Sequence, residues 1–166
     1  MESVARRRWR DKSHGFGLVD LAVALALLAA LLYFLLDRLL TMQEMAEKTE
    51  MEETVRSINY ALRLEAASRL AQGGDTRRLL LEKENPIKWL QAPPRNYLGE
   101  TSTPPAHAKP AYWFYRPQER ELVYRPNRAE HLKIEGGKNS ELRFAVRADA
   151  KQPQPGLMPV LPYEWF

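Results

Sequence analysis

The chain has 166 residues, with 25 Lys and Arg against 21 Asp and Glu, a formal net charge of +4 and no cysteine. That length suits one modest domain beside an apolar segment, and the lack of thiols excludes a disulfide framework and thiolate metal sites. Outside residues 1–40 there are 19 basic and 17 acidic side chains, so the pI of 9.4 partly reflects the N-terminal residues and gives no argument for nucleic-acid binding.

Residues 1–14 are polar and basic, with Arg6, Arg7, Arg8, Arg10 and Lys12. Gly15 and Phe16 follow, and then an apolar run. From Phe16 to Leu36 the twenty-one residues carry one formal charge, Asp20. As a helix this run is roughly 32 Å long, about the thickness of a hydrocarbon core. Leu and Ala dominate it, both strong helix formers, and a helix satisfies its own backbone in lipid. The pattern predicts one membrane-spanning helix over residues 16–40. The basic block before it places the N-terminus in the cytoplasm and carries the C-terminal bulk across the membrane, into the periplasm of a Gram-negative cell. The run is longer than a secretory h-region and has no small-residue cleavage site at its end, which argues against an ordinary signal peptide.

Residues 37–72 contain no Gly and no Pro. Met51, Val55, Ile58, Leu62 and Ala66 recur on one helical face. Glu44, Glu47, Lys48, Glu53, Arg56 and Arg63 are placed off it, and Glu52 is placed to pair with Arg56 four residues on. The helix is expected to run from about 18 to 72, with 41–72 an amphipathic continuation, and to stop at Gly73-Gly74. The apolar stripe is too short for a sustained coiled coil, so packing on a sheet is expected.

Residues 73–110 read as a connector. Asp75–Lys83 is a candidate short helix with Asp75 as its N-cap, ended by Asn85-Pro86. Trp89, Leu90, Tyr97 and Leu98 around Pro93-Pro94 suggest a compact loop pinned by aromatics, and 101–110 is a proline-rich surface segment. Residues 111–150 carry the strands. AYWFY (111–115) and ELVYR (121–125) flank a turn. HLKIE (131–135) and ELRFAVRA (141–148) flank GGKNS and read as a second hairpin. Leu142, Phe144 and Val146 alternate with Arg143, Ala145 and Arg147, giving that strand one core face and one wet face. The tail, 151–166, has four prolines. That density forbids an interior strand, and the apolar end suggests that the tail docks on the domain. The fold class is α+β: one long N-terminal helix packed on a small antiparallel sheet of three or four strands.

The basic leader, Gly15, Phe16, two apolar residues and then Asp20 resemble the signal of type IV prepilins, a family that includes type IV pilins and the pseudopilins of type II secretion. Where that family usually has Glu this chain has Asp20, and where Thr is frequent it has Gly17. The resemblance implies a pilin-like fold, cleavage between Gly15 and Phe16 by a prepilin peptidase, and methylation of the new amine of Phe16. It also implies an assembly role for Asp20, whose carboxylate would meet the Phe16 amine of a neighbouring subunit. Partners implied are other pilin-like subunits, inner-membrane assembly proteins and the lipid bilayer. The stretch Trp89–Glu100, with YWFY (112–115) and ELVYRP (121–126), also looks like the soluble domain of pilin-like proteins.

Read from its chemistry alone, Asp20 has two explanations. An acid inside an apolar span is a functional candidate by default, but an acid in the first turn is also stabilised by the helix N-terminus and interfacial water. His14, His107 and His131 fall in the leader, a loop and a strand start. None has metal-ligand spacing, and all read as surface histidines. No nucleophile, phosphate-loop or metalloprotease pattern is present. The expectation is therefore no catalytic residue, no metal and no cofactor. Tyr112, Trp113, Phe114 and Tyr115 beside Arg116 and Arg120 could stack on bases, but aromatics in a strand are far more often core, so no nucleic acid is expected. The competing reading of the whole is an uncleaved single-pass membrane protein whose periplasmic domain is an adaptor in an envelope complex.

Overall fold

A computed structural model describes residues 17–71, 79–137, 140–148 and 155–166. Its elements are a helix, two short 3-10 turns and seven strands among the described residues. The chain divides into two compact units that meet in sequence between Thr41 and Met42.

Helix α1 spans Leu18–Ala71 without a break, as a stretch free of Gly and Pro allows. Its first part carries exposed Leu21, Leu25, Leu28, Leu32, Tyr33 and Phe34, and it is long and apolar enough to cross a membrane. From Met42 on, the helix is one-sided. Met51, Ile58, Leu62 and Ala66 are buried and Val55 packs against the same core, as the spacing predicts. On the solvent side Arg56 pairs with Glu53 at 2.9 Å, while Glu52 takes Lys48 at 3.7 Å. The expected Glu52–Arg56 pair is thus replaced by two others on the same surface.

The sheet has five strands in the order β1-β2-β3-β5-β6. They are β1 (Tyr97–Glu100), β2 (Tyr112–Arg116), β3 (Glu121–Arg125), β5 (Leu142–Ala148) and β6 (Pro155–Pro159). β2, β3, β5 and β6 are antiparallel neighbours, and β1 lies parallel to β2. Leu122 faces Phe144 and Tyr124 faces Leu142 in register. This sets Trp113, Tyr115, Leu122, Tyr124, Leu142, Phe144 and Val146 in one core with the α1 stripe. Alternate residues of β2 and β3, namely Tyr112, Phe114 and Val123, form a smaller cluster with Ala108 of the proline-rich connector. Both sides of β2 are buried, and its four aromatics are core residues, as expected.

Three expectations are corrected. Tyr97–Glu100 is a strand, where a loop pinned by aromatics and no strand was expected. The Asn96 side chain donates to the Ala111 carbonyl at 2.6 Å, Asn96 accepts from Trp113 N–H at 3.0 Å, and the register shifts between Tyr97 and Glu100 around Gly99 at φ 93. Buried Asn85 fixes the approach to it: its Oδ1 accepts from Ile87 N–H at 3.0 Å and its Nδ2 reaches Tyr97 Oη at 2.7 Å and Glu100 at 3.0 Å. Four residues are too few for alternation to show against flanking prolines.

Second, β4 (Leu132–Ile134) does not pair with β5. It pairs antiparallel with β7 (Tyr163–Trp165), as Leu132↔Trp165, Lys133↔Glu164 and Ile134↔Tyr163. That pairing matches apolar to apolar and opposite charges to each other, while β5 instead joins β3 and β6. Third, the tail docks on the domain as expected, but as strands. β6 is an edge strand bounded by Pro155 and Pro159, the place a proline strand is tolerated, so the sheet extends beyond residues 111–150. Of the segment expected as a helix, Asp75–Lys83, the described part Leu79–Lys83 is a 3-10 turn, and residues 72–78, with Gly73, Gly74 and Asp75, lie outside the described residues.

The fragment Met42–Phe166 is expected to fold on its own. In it, fully buried Ile58 changed to Ala is expected to cost about 2–5 kcal/mol, read as the shift of its urea midpoint. An unchanged midpoint would mean that the stripe does not carry the core.

Candidate functional site: the carboxylates of the long helix

Three acids on α1 are set apart from the rest. Gly17 is the N-cap, and its carbonyl accepts from Leu21 N–H at 3.2 Å. Its own N–H donates to Asp20 Oδ2 at 3.1 Å. An acid three residues into a helix that reaches back to the cap N–H is half of a capping box, and its charge suits the positive end of the helix. Asp20 therefore has a structural duty in the first turn. Gly15 and Phe16, the predicted processing residues, lie outside the described residues.

Glu44 was placed off the apolar face by the sequence reading and is in fact on it, 1% exposed. Seven residues separate it from Met51 and seven more separate Met51 from Ile58, which keeps all three on one stripe. Its Oε1 accepts from His131 N–H and from Trp165 Nε1, both at 3.0 Å. Its Oε2 lies 2.8 Å from His131 Nδ1, which donates when it carries the proton. The His131 ring in turn stacks on Phe166 at 4.8 Å. His131 lies at the surface, as expected, and is also the partner of a buried acid. His107 is exposed, and His14 lies outside the described residues. Burial pushes the Glu44 carboxyl up, but the hydrogen bonds from His131 and Trp165 together with the nearby imidazole outweigh it and hold the group below its ordinary 4.5.

One turn further on, Glu47 accepts from Tyr124 Oη at 3.0 Å, Asn127 N–H at 2.6 Å and Arg128 N–H at 3.3 Å. Burial and the Glu47 charge push the Tyr124 hydroxyl far up, so it stays a donor. Together the two glutamates clamp the segment between β3 and β4, which has no ladder of its own, and fasten β7. The signal for this in the sequence was the seven-residue spacing of Glu44 from Met51; its charge concealed it.

Elsewhere, Tyr60, Leu64, Trp89 and Leu90 line an apolar groove of about 590 Å³, and Arg69 stacks over Trp89 at 4.8 Å while binding Glu65 and Glu84. Among the described residues no group of three or more His, Cys, Asp or Glu is placed to hold a metal. The arrangement binds and fastens; no nucleophile with an adjacent base is present among the described residues around Glu44 and Glu47. No family model, curated protein or solved structure matches this chain.

Each buried donor left without an acceptor costs about 1–3 kcal/mol. Glu44→Ala is therefore expected to lower the urea midpoint of Met42–Phe166 more than Glu47→Ala, whose backbone donors lie nearer solvent. The pH dependence follows from linkage. Native Glu44 holds a proton less tightly than the unfolded chain does, so its contribution is complete well above 4.5 and is lost as pH falls below that value. The gap between parent and Glu44→Ala should be widest near neutral pH and close in acid. A gap independent of pH would show that the charge of Glu44 is irrelevant.

Proposed function

We propose that the chain is a membrane-anchored, pilin-like structural subunit, a pseudopilin or minor pilin, of a type IV pilus or type II secretion assembly. The observation that carries this is the order basic leader, Gly15-Phe16, Asp20 and an apolar helix in one continuous stretch of sequence. The α+β architecture, a long helix with a small sheet on its later half, is compatible with it. In this reading the chain spans the inner membrane once, with its N-terminus in the cytoplasm and its domain in the periplasm. A prepilin peptidase cuts after Gly15, and the partners are other pilin-like subunits and inner-membrane assembly proteins.

Cleavage creates an amine at Phe16 that must be neutralised in or near lipid. Opposite charges attract far more strongly there than in water. The Gly17–Asp20 hydrogen bond uses an amide that survives the cut, and the carboxylate keeps a second oxygen for the amine of a neighbouring subunit. Local capping and intersubunit pairing are thus compatible roles for Asp20.

Mass spectrometry of the membrane-extracted protein tests the processing step. In cells with an active prepilin peptidase the chain is expected to begin at Phe16; recovery of the full leader would overturn the reading and favour an uncleaved anchor. Asp20→Asn and Asp20→Ala are expected to insert and be cleaved, since losing a charge makes the run more apolar. Their fraction in sheared filaments or crosslinked assemblies is expected to fall several-fold. Asp20→Glu is expected to assemble at least as well as the parent. Equal assembly by all four proteins would reduce Asp20 to its capping duty.

A further inference from the structure

β7 is fastened differently from the strand before it. β6 has five register partners on β5 and its own tie to α1, the Asn59 side chain accepting from Leu157 N–H at 2.7 Å. β7 has three register partners, all on β4, and among the described residues β4 pairs with no other strand. A lone two-stranded ribbon is marginal in water. Apolar contacts of Trp165, Leu132, Ile134 and Tyr163 hold this one to the core, and Glu44 ties it to α1 through Trp165 and His131.

The geometry of that tie favours an ionised carboxylate. Three N–H groups converge on two oxygens, and each oxygen faces at least one donor. A neutral carboxyl must carry its proton on one of them. On Oε2 the proton competes with the N–H that the His131 ring presents when its Nδ1 carries hydrogen. On Oε1 it meets the His131 amide and the buried indole. A proton on either oxygen takes acceptor capacity from a site that three donors share, and on Oε1 it faces the buried Trp165 indole.

The surrounding charges do not supply a substitute. On α1, Glu47 is occupied by Tyr124, Asn127 and Arg128, and Lys48 pairs with Glu52 and lies 5.9 Å from the Phe166 ring centre. On the segment before β4, Arg128 pairs with Glu130 at 3.1 Å. On β4 and β7, Lys133 and Glu164 are exposed register partners.

We infer that proton uptake by Glu44 releases Tyr163–Phe166 from α1 while the five-stranded sheet stays folded. The β7 segment is then an acid-released strap, opening on the three residues between β6 and β7 and uncovering the β4 edge and the site vacated by Trp165. Local opening below the global unfolding free energy is the usual behaviour of a weakly laddered unit.

The chain contains no cysteine, so Lys133→Cys with Glu164→Cys places two spin labels on an exposed cross-strand pair. The measurement is made on the full chain in lipid nanodiscs, by dipolar broadening across a pH series, with circular dichroism as the readout of the sheet. The expected result is strong broadening at neutral pH and its loss below pH 4.5 with the sheet signal retained. Glu44→Gln, which cannot ionise, is expected to lack the broadening at every pH. His131→Asn keeps a donor near Glu44 but cannot titrate, and it is expected to keep the acid transition. Loss of broadening and sheet signal together would overturn the inference, as would an acid transition that persists in Glu44→Gln or disappears in His131→Asn.

Discussion

The fold depends on one face of one helix. Met51, Ile58 and Leu62 are the only large apolar side chains of α1 that are fully covered among the described residues, and the cover is the aromatic face of β2, β3 and β5. At ~25 cal/mol per Å² the burial of such side chains is the leading favourable contribution to a domain of this size. The sheet needs the helix as much as the helix needs the sheet. Trp113 packs on Tyr124 at 4.6 Å and on Phe144 at 5.9 Å, a layer of rings that water would otherwise reach from the open side.

That same helix changes its relation to its surroundings along its length. Up to Leu39 its large apolar side chains are exposed; after Met42 one apolar stripe is buried and most other positions are polar, with Met45, Tyr60, Leu64 and Leu70 still exposed. Sequence periodicity detects this change well, because it reads which positions repeat and not what they touch. It therefore found α1, the stripe, β2, β3 and the alternation in β5. It also anticipated that the aromatics of β2 were core, since neighbouring strand residues on both faces are apolar.

What periodicity does not carry is pairing. The hairpin expected between residues 131–135 and 141–148 was reasonable from its glycine turn, yet β4 pairs with a strand some thirty residues on, because Trp165 and Tyr163 match Leu132 and Ile134. β1 was hidden for a similar reason: the groups that hold it, Asn85 and β2, lie twelve or more residues away in sequence. Glu44 was missed through its charge. A hydrophobicity pattern counts a carboxylate as solvent-facing, and only the three donors gathered from residues 131 and 165 make its burial tolerable. Asp20, by contrast, stood out because everything around it is apolar, although its bond to Gly17 was not foreseen.

The tie between Glu44 and Trp165 spans 121 residues of chain, and this imposes an order on synthesis. At roughly 5–20 residues per second, the ribosome delivers Trp165 on the order of 6–24 s after Glu44. The two donors of His131 arrive 87 residues after Glu44, and the buried indole that completes the set arrives last. The stripe beginning at Met51 can meet the sheet earlier, but its N-terminal end cannot be closed until the last strand arrives. A chain cut between β6 and β7 would keep its five-stranded sheet, while Glu44 would hold the two donors of His131 and lack the Trp165 indole.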